Sequence, residues 1–135
     1  MENRRTFLKT SAVAVSLIAL GQAVPLKASE NNYSGIIYTG NNPGKWGKKV
    51  GSHLPVISNN QGKITIKTNH PMSEQHYIVR HTLVLADGSV IGSRTFHPDT
   101  PEAVSEHTLP TGYSGKIYAT SFCNLHDFWV NETTV

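Results

Sequence analysis

The sequence predicts an all-β fold, an immunoglobulin-like antiparallel β-sandwich of about seven strands. Three observations carry that expectation. Short segments alternate polar and apolar residues, as in Lys63-Ile64-Thr65-Ile66-Lys67, the period of a strand buried on one face. Turn-forming Gly, Pro, Asn and Asp residues separate these segments at short intervals. Beyond Ser29 no window carries the apolar period of a helix.

The elements follow in order. Residues from Glu30 to Lys49 are polar, rich in Gly and Asn, and are expected to lead into the fold. Pro55 favours extended backbone before it, so His53-Leu54-Pro55-Val56-Ile57 reads as the approach to a strand. A strand over Lys63–Lys67 comes next. Tyr77 to Ala86 is a further strand and ends in Asp87-Gly88, a hairpin signal, with Ser89 to Phe96 as its return partner. Pro98 and Pro101 interrupt the pattern before a strand from Ala103 to Leu109. Pro110 to Gly115 is a turn cluster, Lys116 to Phe122 a strand, Cys123 to Asp127 a loop, and Phe128 to Thr133 the last strand.

The N-terminal stretch has a different character. Asn3-Arg4-Arg5-Thr6-Phe7-Leu8-Lys9 is a twin-arginine motif, followed by an apolar, small-residue run from Ser11 to Leu20. Gly21-Gln22-Ala23 supplies a small-x-small cleavage site, and Leu26-Lys27-Ala28 a second. The run is shorter than the ~20 residues a membrane span needs, so it reads as a removable export signal. The expected organisation is a signal peptide over 1–28, cleaved after Ala23 or Ala28, and one domain over 29–135 in the periplasm.

Charge excludes one class of function. The formal charge of +3 resides in the signal; from Ser29 onward eight Lys and Arg balance eight Asp and Glu. A nucleic-acid footprint needs concentrated positive charge, so no nucleic-acid partner is expected.

Cys123 is the chain's single cysteine, so no intramolecular disulfide can form. In an exported protein such a thiol is either buried and inert or a metal ligand. Cys123-Asn124-Leu125-His126 pairs it with an imidazole, and His53, His70 and His76 lie at or near predicted strand ends. Loops at one end of a sandwich cluster, so these groups can meet. One soft thiolate among several imidazoles suits a redox metal better than a hard cation.

Three segments resemble a known family. Lys116-Ile117-Tyr118-Ala119-Thr120-Ser121-Phe122-Cys123-Asn124-Leu125-His126-Asp127-Phe128-Trp129 is similar to the end of the superoxide reductases, the neelaredoxin/desulfoferrodoxin family. His70-Pro71-Met72-Ser73-Glu74-Gln75-His76-Tyr77-Ile78 resembles a second family signature, and Trp46 followed by His53-Leu54-Pro55-Val56-Ile57 a third. The resemblance spans Trp46 to the C-terminus. It implies a mononuclear non-haem iron with His53, His70, His76 and His126 as equatorial ligands and Cys123 as the axial one. It implies one-electron reduction of superoxide to hydrogen peroxide on the face opposite the sulfur. The backbone N–H groups of Asn124, Leu125 and His126 are expected near that sulfur, and Trp129 as a core or rim aromatic. His81, His97 and His107 fall outside the motifs and are expected at the surface or behind the ligands.

The chain departs from the family's pattern at one place. Where the family has Glu-Lys-His, this sequence has Gly51-Ser52-His53. The family's glutamate closes the sixth position of oxidised iron, and its lysine attracts superoxide. No matching carboxylate stands here, and Lys48 or Lys49 is the candidate for the lysine's part. The second iron centre of some relatives needs four more cysteines, so electrons are expected from an external donor, rubredoxin-like or another periplasmic carrier. A homo-oligomer is left open.

Two other functions fit parts of the pattern. A cupredoxin also carries Cys-x-x-His near its end, but needs two histidines and usually a methionine after the last, and none follows His126. A non-catalytic metal-binding sandwich of the same family would retain the ligands without the activity. A structural zinc site takes four tetrahedral ligands, one fewer than the five candidates.

Overall fold

Alternation in the sequence becomes alternation in burial. The structure is a computed structural model, described for residues 33–135. The expected signal peptide at 1–28 lies outside the described residues. In the segment Lys63–Thr68, Ile64, Ile66 and Thr68 point inward and are buried, while the residues between them are not.

The described residues contain eight strands: β1 (Ile37–Tyr38), β2 (Val56–Asn60), β3 (Lys63–Thr68), β4 (Ile78–Leu85), β5 (Val90–Thr95), β6 (Ala103–Thr108), β7 (Lys116–Cys123) and β8 (Asp127–Thr134). They form two sheets, one ordered β1-β8-β7-β4-β5 and the other β2-β3-β6. All pairings are antiparallel except that of β1 with β8. The all-β expectation holds, with the two-residue β1 as the addition to about seven strands.

The polar lead contains structure that the sequence reading did not expect. Gly44–Lys49 forms a 3-10 turn and Val50–His53 a single helical turn, α1. Leu54 then leaves the helix in extended conformation, as the following Pro55 requires, and the chain enters β2. The Asp87-Gly88 hairpin forms as its residues dictate. Gly88 takes φ 88°, and the Ser89 N–H donates to Asp87 Oδ1 at 2.9 Å.

The last loop is tighter than Cys123–Asp127. Cys123 pairs with Asp127 at the end of the β7–β8 ladder, leaving three residues between them. Asp127 closes that turn at φ 58°, a left-handed conformation that Asp tolerates better than most residues.

Apolar side chains fill the space between the sheets in two groups. Ile64, Ile66, Leu83, Leu85, Leu109, Ile117 and Ala119 form the larger. Ile78, Phe96, Ala103 and Cys123 form a smaller one at the other end, with Met72 packed against it. Among the described residues no helix is long and apolar enough to cross a membrane.

Candidate metal centre

Three connections at one end of the sandwich deliver the candidate ligands. His53 ends α1, His70 and His76 lie in the β3–β4 connection, and Cys123 and His126 flank the β7–β8 turn. His53 and His70 are buried at 1% and 7% exposure, and Cys123 at 0%. His76 and His126 are partly exposed and rim the site.

The ring nitrogens converge. His53 Nε2 lies 3.0 Å from His126 Nδ1, which is 3.1 Å from His76 Nε2, which is 3.0 Å from His70 Nε2. The His70 and His53 rings close the circuit, edge to face at 4.6 Å between centroids. Cys123 Sγ stands 3.5 Å from His126 Nδ1. The donor atoms of His53, His70, His76 and Cys123 all lie within 4.8 Å of one another. His126 is outside that group of four, yet its Nδ1 touches three of its members. All five predicted ligands are therefore brought together.

The size of the circuit tests whether it fits a metal. A square with edges of that length has a half-diagonal of about 2.1 Å, close to metal–imidazole bonds of about 2.0–2.1 Å. Cys123 Sγ, 3.5 Å from His126 Nδ1, adds a fifth donor beside the four nitrogens. Four neutral nitrogens and one soft sulfur are a donor set suited to iron, copper or zinc rather than to magnesium or calcium. A blue-copper site uses two of the four imidazoles, and a structural zinc site one ligand fewer than five.

Neighbours orient the ligands. His53 Nδ1 donates to the Lys49 carbonyl at 3.2 Å, which leaves the lone pair of Nε2 turned to the centre. The Ser52 hydroxyl meets the same nitrogen at 2.8 Å and donates to the same carbonyl at 3.2 Å. The Trp129 indole N–H donates to the His126 carbonyl at 3.1 Å, and its ring covers His53 at 5.5 Å. Trp129 is thus the buried aromatic expected from the sequence. The N–H groups of Leu125 and His126 bond the Cys123 sulfur, whereas that of Asn124 donates to the Tyr77 carbonyl at 3.2 Å.

Electrostatics keep the imidazoles neutral. Burial first, then the neighbouring His70 and His126 rings, lower the pKa of His53 to about 4. Burial and His76 lower His70 to about 4. His76 and His126 shift in the same direction, again by burial first. Burial raises Cys123, while the two N–H bonds and the charge of Lys49 pull it back. Without a cation the site holds neutral rings and a thiol; a metal must displace the thiol proton.

Of the two lysines nominated from sequence, Lys49 is the one whose charge reaches the centre. It acts on His70, His76, His126 and Cys123. Lys48 is exposed and causes none of these shifts. Lys45, which the sequence reading passed over, acts on His126 and lies 4.7 Å from the Trp46 ring centroid, with Lys49 at 5.9 Å. Trp46 itself stands edge-on to His126 at 4.6 Å. Its adjacency to Lys45 was the available signal.

Of the two places expected for the histidines outside the motifs, His81 takes the one behind the ligands, fully buried in the core, whereas His97 is exposed and His107 partly so. The donor group contains no carboxylate.

Comparison with known proteins follows the same lines. The desulfoferrodoxin family model matches residues 45–132. A desulfoferrodoxin homolog of Archaeoglobus fulgidus is 36% identical over 80 residues, covering 57% of this chain and 59% of that protein. The chain thus spans less than two thirds of that relative. A superoxide reductase of Pyrococcus furiosus is 26% identical over 117 residues, covering 68% of this chain and 93% of the relative. Among solved structures, a variant of superoxide reductase (neelaredoxin) from Ignicoccus hospitalis superposes with a TM-score of 0.66 at 25% identity. It covers 73% of this chain and 92% of that one.

Proposed function

Because the chain belongs to the desulfoferrodoxin family, we propose that it is a superoxide reductase whose iron is held by His53, His70, His76, His126 and Cys123. The convergence of four imidazole nitrogens and one buried sulfur carries this reading. Bound ferrous iron supplies one electron, and with two protons superoxide becomes hydrogen peroxide without release of dioxygen.

The protein's own residues have defined tasks. The neutral rings bind without placing extra charge around the cation. The Leu125 and His126 N–H groups draw density from the sulfur and so moderate its donation. Burial of Cys123 and His53 excludes water from the sulfur side. Lys49, with Lys45 beside it on the Trp46 ring, raises the local concentration of an anionic substrate and can supply a proton at Nζ. Lys49 thereby takes the part that the family gives to the lysine missing before His53. An external carrier, rubredoxin-like or another periplasmic donor, returns the electron.

The test is anaerobic expression, iron quantification, and a superoxide assay that measures peroxide and dioxygen together. Peroxide without dioxygen is the expected result; evolution of dioxygen would mean dismutation and would overturn the reading. We propose further that residues 1–28 direct twin-arginine export to the periplasm. Replacing Arg4 and Arg5 by Lys should leave the protein in the cytoplasmic fraction; unchanged export would refute the route.

A further inference from the structure

Beneath the metal site the two sheets are joined by a chain of buried polar side chains. Ser121 Oγ meets Thr68 Oγ1 at 2.8 Å, and Thr68 Oγ1 meets His81 Nε2 at 2.8 Å. On the other side of the ring, His81 Nδ1 meets Ser105 Oγ at 3.0 Å, and Ser105 Oγ meets His107 Nε2 at 3.0 Å. Thr68, His81, Ser105 and Ser121 are each exposed by no more than 2%. They belong to β3, β4, β6 and β7, one from each strand.

His81 and Ser121 pair directly across the β4–β7 ladder, and on the facing sheet Thr68 and Ser105 stand at neighbouring inward positions, opposite Ala103 and Ile66. Along β3, Ile64 and Ile66 precede Thr68, and His70 follows two residues on. Along β7, Ile117 and Ala119 precede Ser121, and Cys123 follows. Along β4, Leu85 and Leu83 lie on one side of His81 and Ile78 on the other. The polar layer therefore separates the large apolar group from the small one that contains Cys123.

We propose that His81 is a positioning residue for the metal ligands, holding β3 and β7 at the spacing that brings His70 and Cys123 together. The inference rests on the ligand set proposed above. Thr68 is tied to His70 directly, since its carbonyl accepts the His70 N–H at 2.8 Å. Ser121 shares the inward face of β7 with Cys123. Phe96 stands edge-on to the His81 ring at 4.8 Å and packs in the same group as Cys123. One imidazole thus touches the supports of two ligands.

A polar layer does this better than an apolar one. Apolar contacts tolerate sliding, whereas each hydroxyl–imidazole bond fixes a direction and a distance. Burial lowers the pKa of His81 to about 3, so the ring is neutral and has one donor and one acceptor nitrogen. Rotating hydroxyls on both sides satisfy either tautomer, and no member of the chain is left unpaired. Along β6 the chain ends at His107, whose ring occupies the place where a side chain at Gly92 would stand.

The test uses the whole protein loaded with ferrous iron and then oxidised. Three quantities are read: iron retained against a chelator, the thiolate-to-iron charge-transfer band, and the thermal midpoint of the iron-free protein. His81→Asn keeps an amide near the Nδ1 position and loses the contact to Thr68; His81→Gln reaches the Nε2 position and restores it. We expect His81→Asn and Thr68→Val to shift the band and weaken iron retention about tenfold or more, as for groups that orient metal ligands. His81→Gln should bring both back to within about threefold of the unmodified protein, on the same scale. A purely structural role lowers the thermal midpoint of these variants and leaves band and retention native; that result overturns the inference, as does equal behaviour of the Asn and Gln variants. An unmodified protein that binds no iron, or binds it without a thiolate band, instead defeats the ligand set.

Discussion

The Nε2 atoms of His70 and His76 face each other 3.0 Å apart within the β3–β4 connection. Two neutral imidazoles at that distance share one proton; a cation between all four rings satisfies every lone pair at once. Iron binding should therefore stabilise the fold strongly. At a free metal concentration of a hundred times Kd the gain is about 2.7 kcal/mol, or a rise of roughly 10 °C or more in Tm for a domain of this size. Calorimetry of chelated and iron-loaded protein checks this, and equal midpoints would contradict a metal site.

His126 is only partly buried, like His76, yet its Nδ1 meets His53, His76 and Cys123. Its removal should be as costly as that of His53. His126→Ala is expected to reduce iron retention about tenfold or more while changing the stability of the iron-free protein by less than ~1 kcal/mol, because the ring is not part of the core. Metal titration and chemical unfolding of the same variant separate the two effects.

Cys123→Ser tests the sulfur's own part. Oxygen is a poorer donor than thiolate toward a soft or borderline metal. The variant should lose the visible charge-transfer band entirely while still holding iron through the imidazoles. Retention of the band would assign the colour to another ligand.

The strands and the side chains that converge at the candidate site were legible because their signals are local. Lys63–Lys67 alternates, Asp87-Gly88 turns, and Cys123-Asn124-Leu125-His126 puts thiol and imidazole on one short connection. The 3-10 turn and α1 were not legible, since no apolar stripe drives them; His53 is the one buried residue of the pair of turns. Lys45 was not legible because its effect on His126 depends on the fold bringing Trp46 and the β7–β8 turn together. The layer of Thr68, Ser105, Ser121 and His81 did leave a trace: Thr68 and Ser121 each break an inward-facing apolar series two residues before a candidate ligand, and His81 and Ser105 are polar residues on the buried faces of β4 and β6. That trace becomes meaningful only when register pairs His81 with Ser121 and side-chain bonds across the core tie them to Thr68 and Ser105.

Lys49 and Lys48 are neighbours in sequence but unequal in effect: Lys49 acts electrostatically on the candidate ligands and Lys48 does not. Lys49→Ala should lower the second-order rate with superoxide by about tenfold at low ionic strength and flatten its salt dependence. Lys48→Ala should change both much less, and Lys45→Ala should fall between them. Pulse radiolysis across a salt series measures all three. Equal rates for the Lys49 variant and the unmodified protein would remove Lys49 from the attraction of substrate.

Acid should unfold the iron-free protein through His81. Its pKa is near the ordinary 6.5 in the unfolded chain and about 3 in the fold, where burial comes first and the charges of His107 and Arg94 add to it. The unfolded chain therefore binds the proton more readily, and protonation favours unfolding. The stability that the neutral ring confers is complete above pH ~6.5 and is lost progressively as pH falls toward 3. The change is about 2 kcal/mol by pH 5, at 1.36 kcal/mol for each pH unit below the unfolded value. His81→Gln removes the titrating group, so urea unfolding of that variant in iron-free form should lose less stability between pH 7 and pH 5 than the unmodified protein. His53 and His70, and with them His76, His107 and His126, are also lowered by burial and contribute to the loss that remains. An identical pH dependence in the two proteins would show that His81 is charged in the fold or already neutral in the unfolded chain.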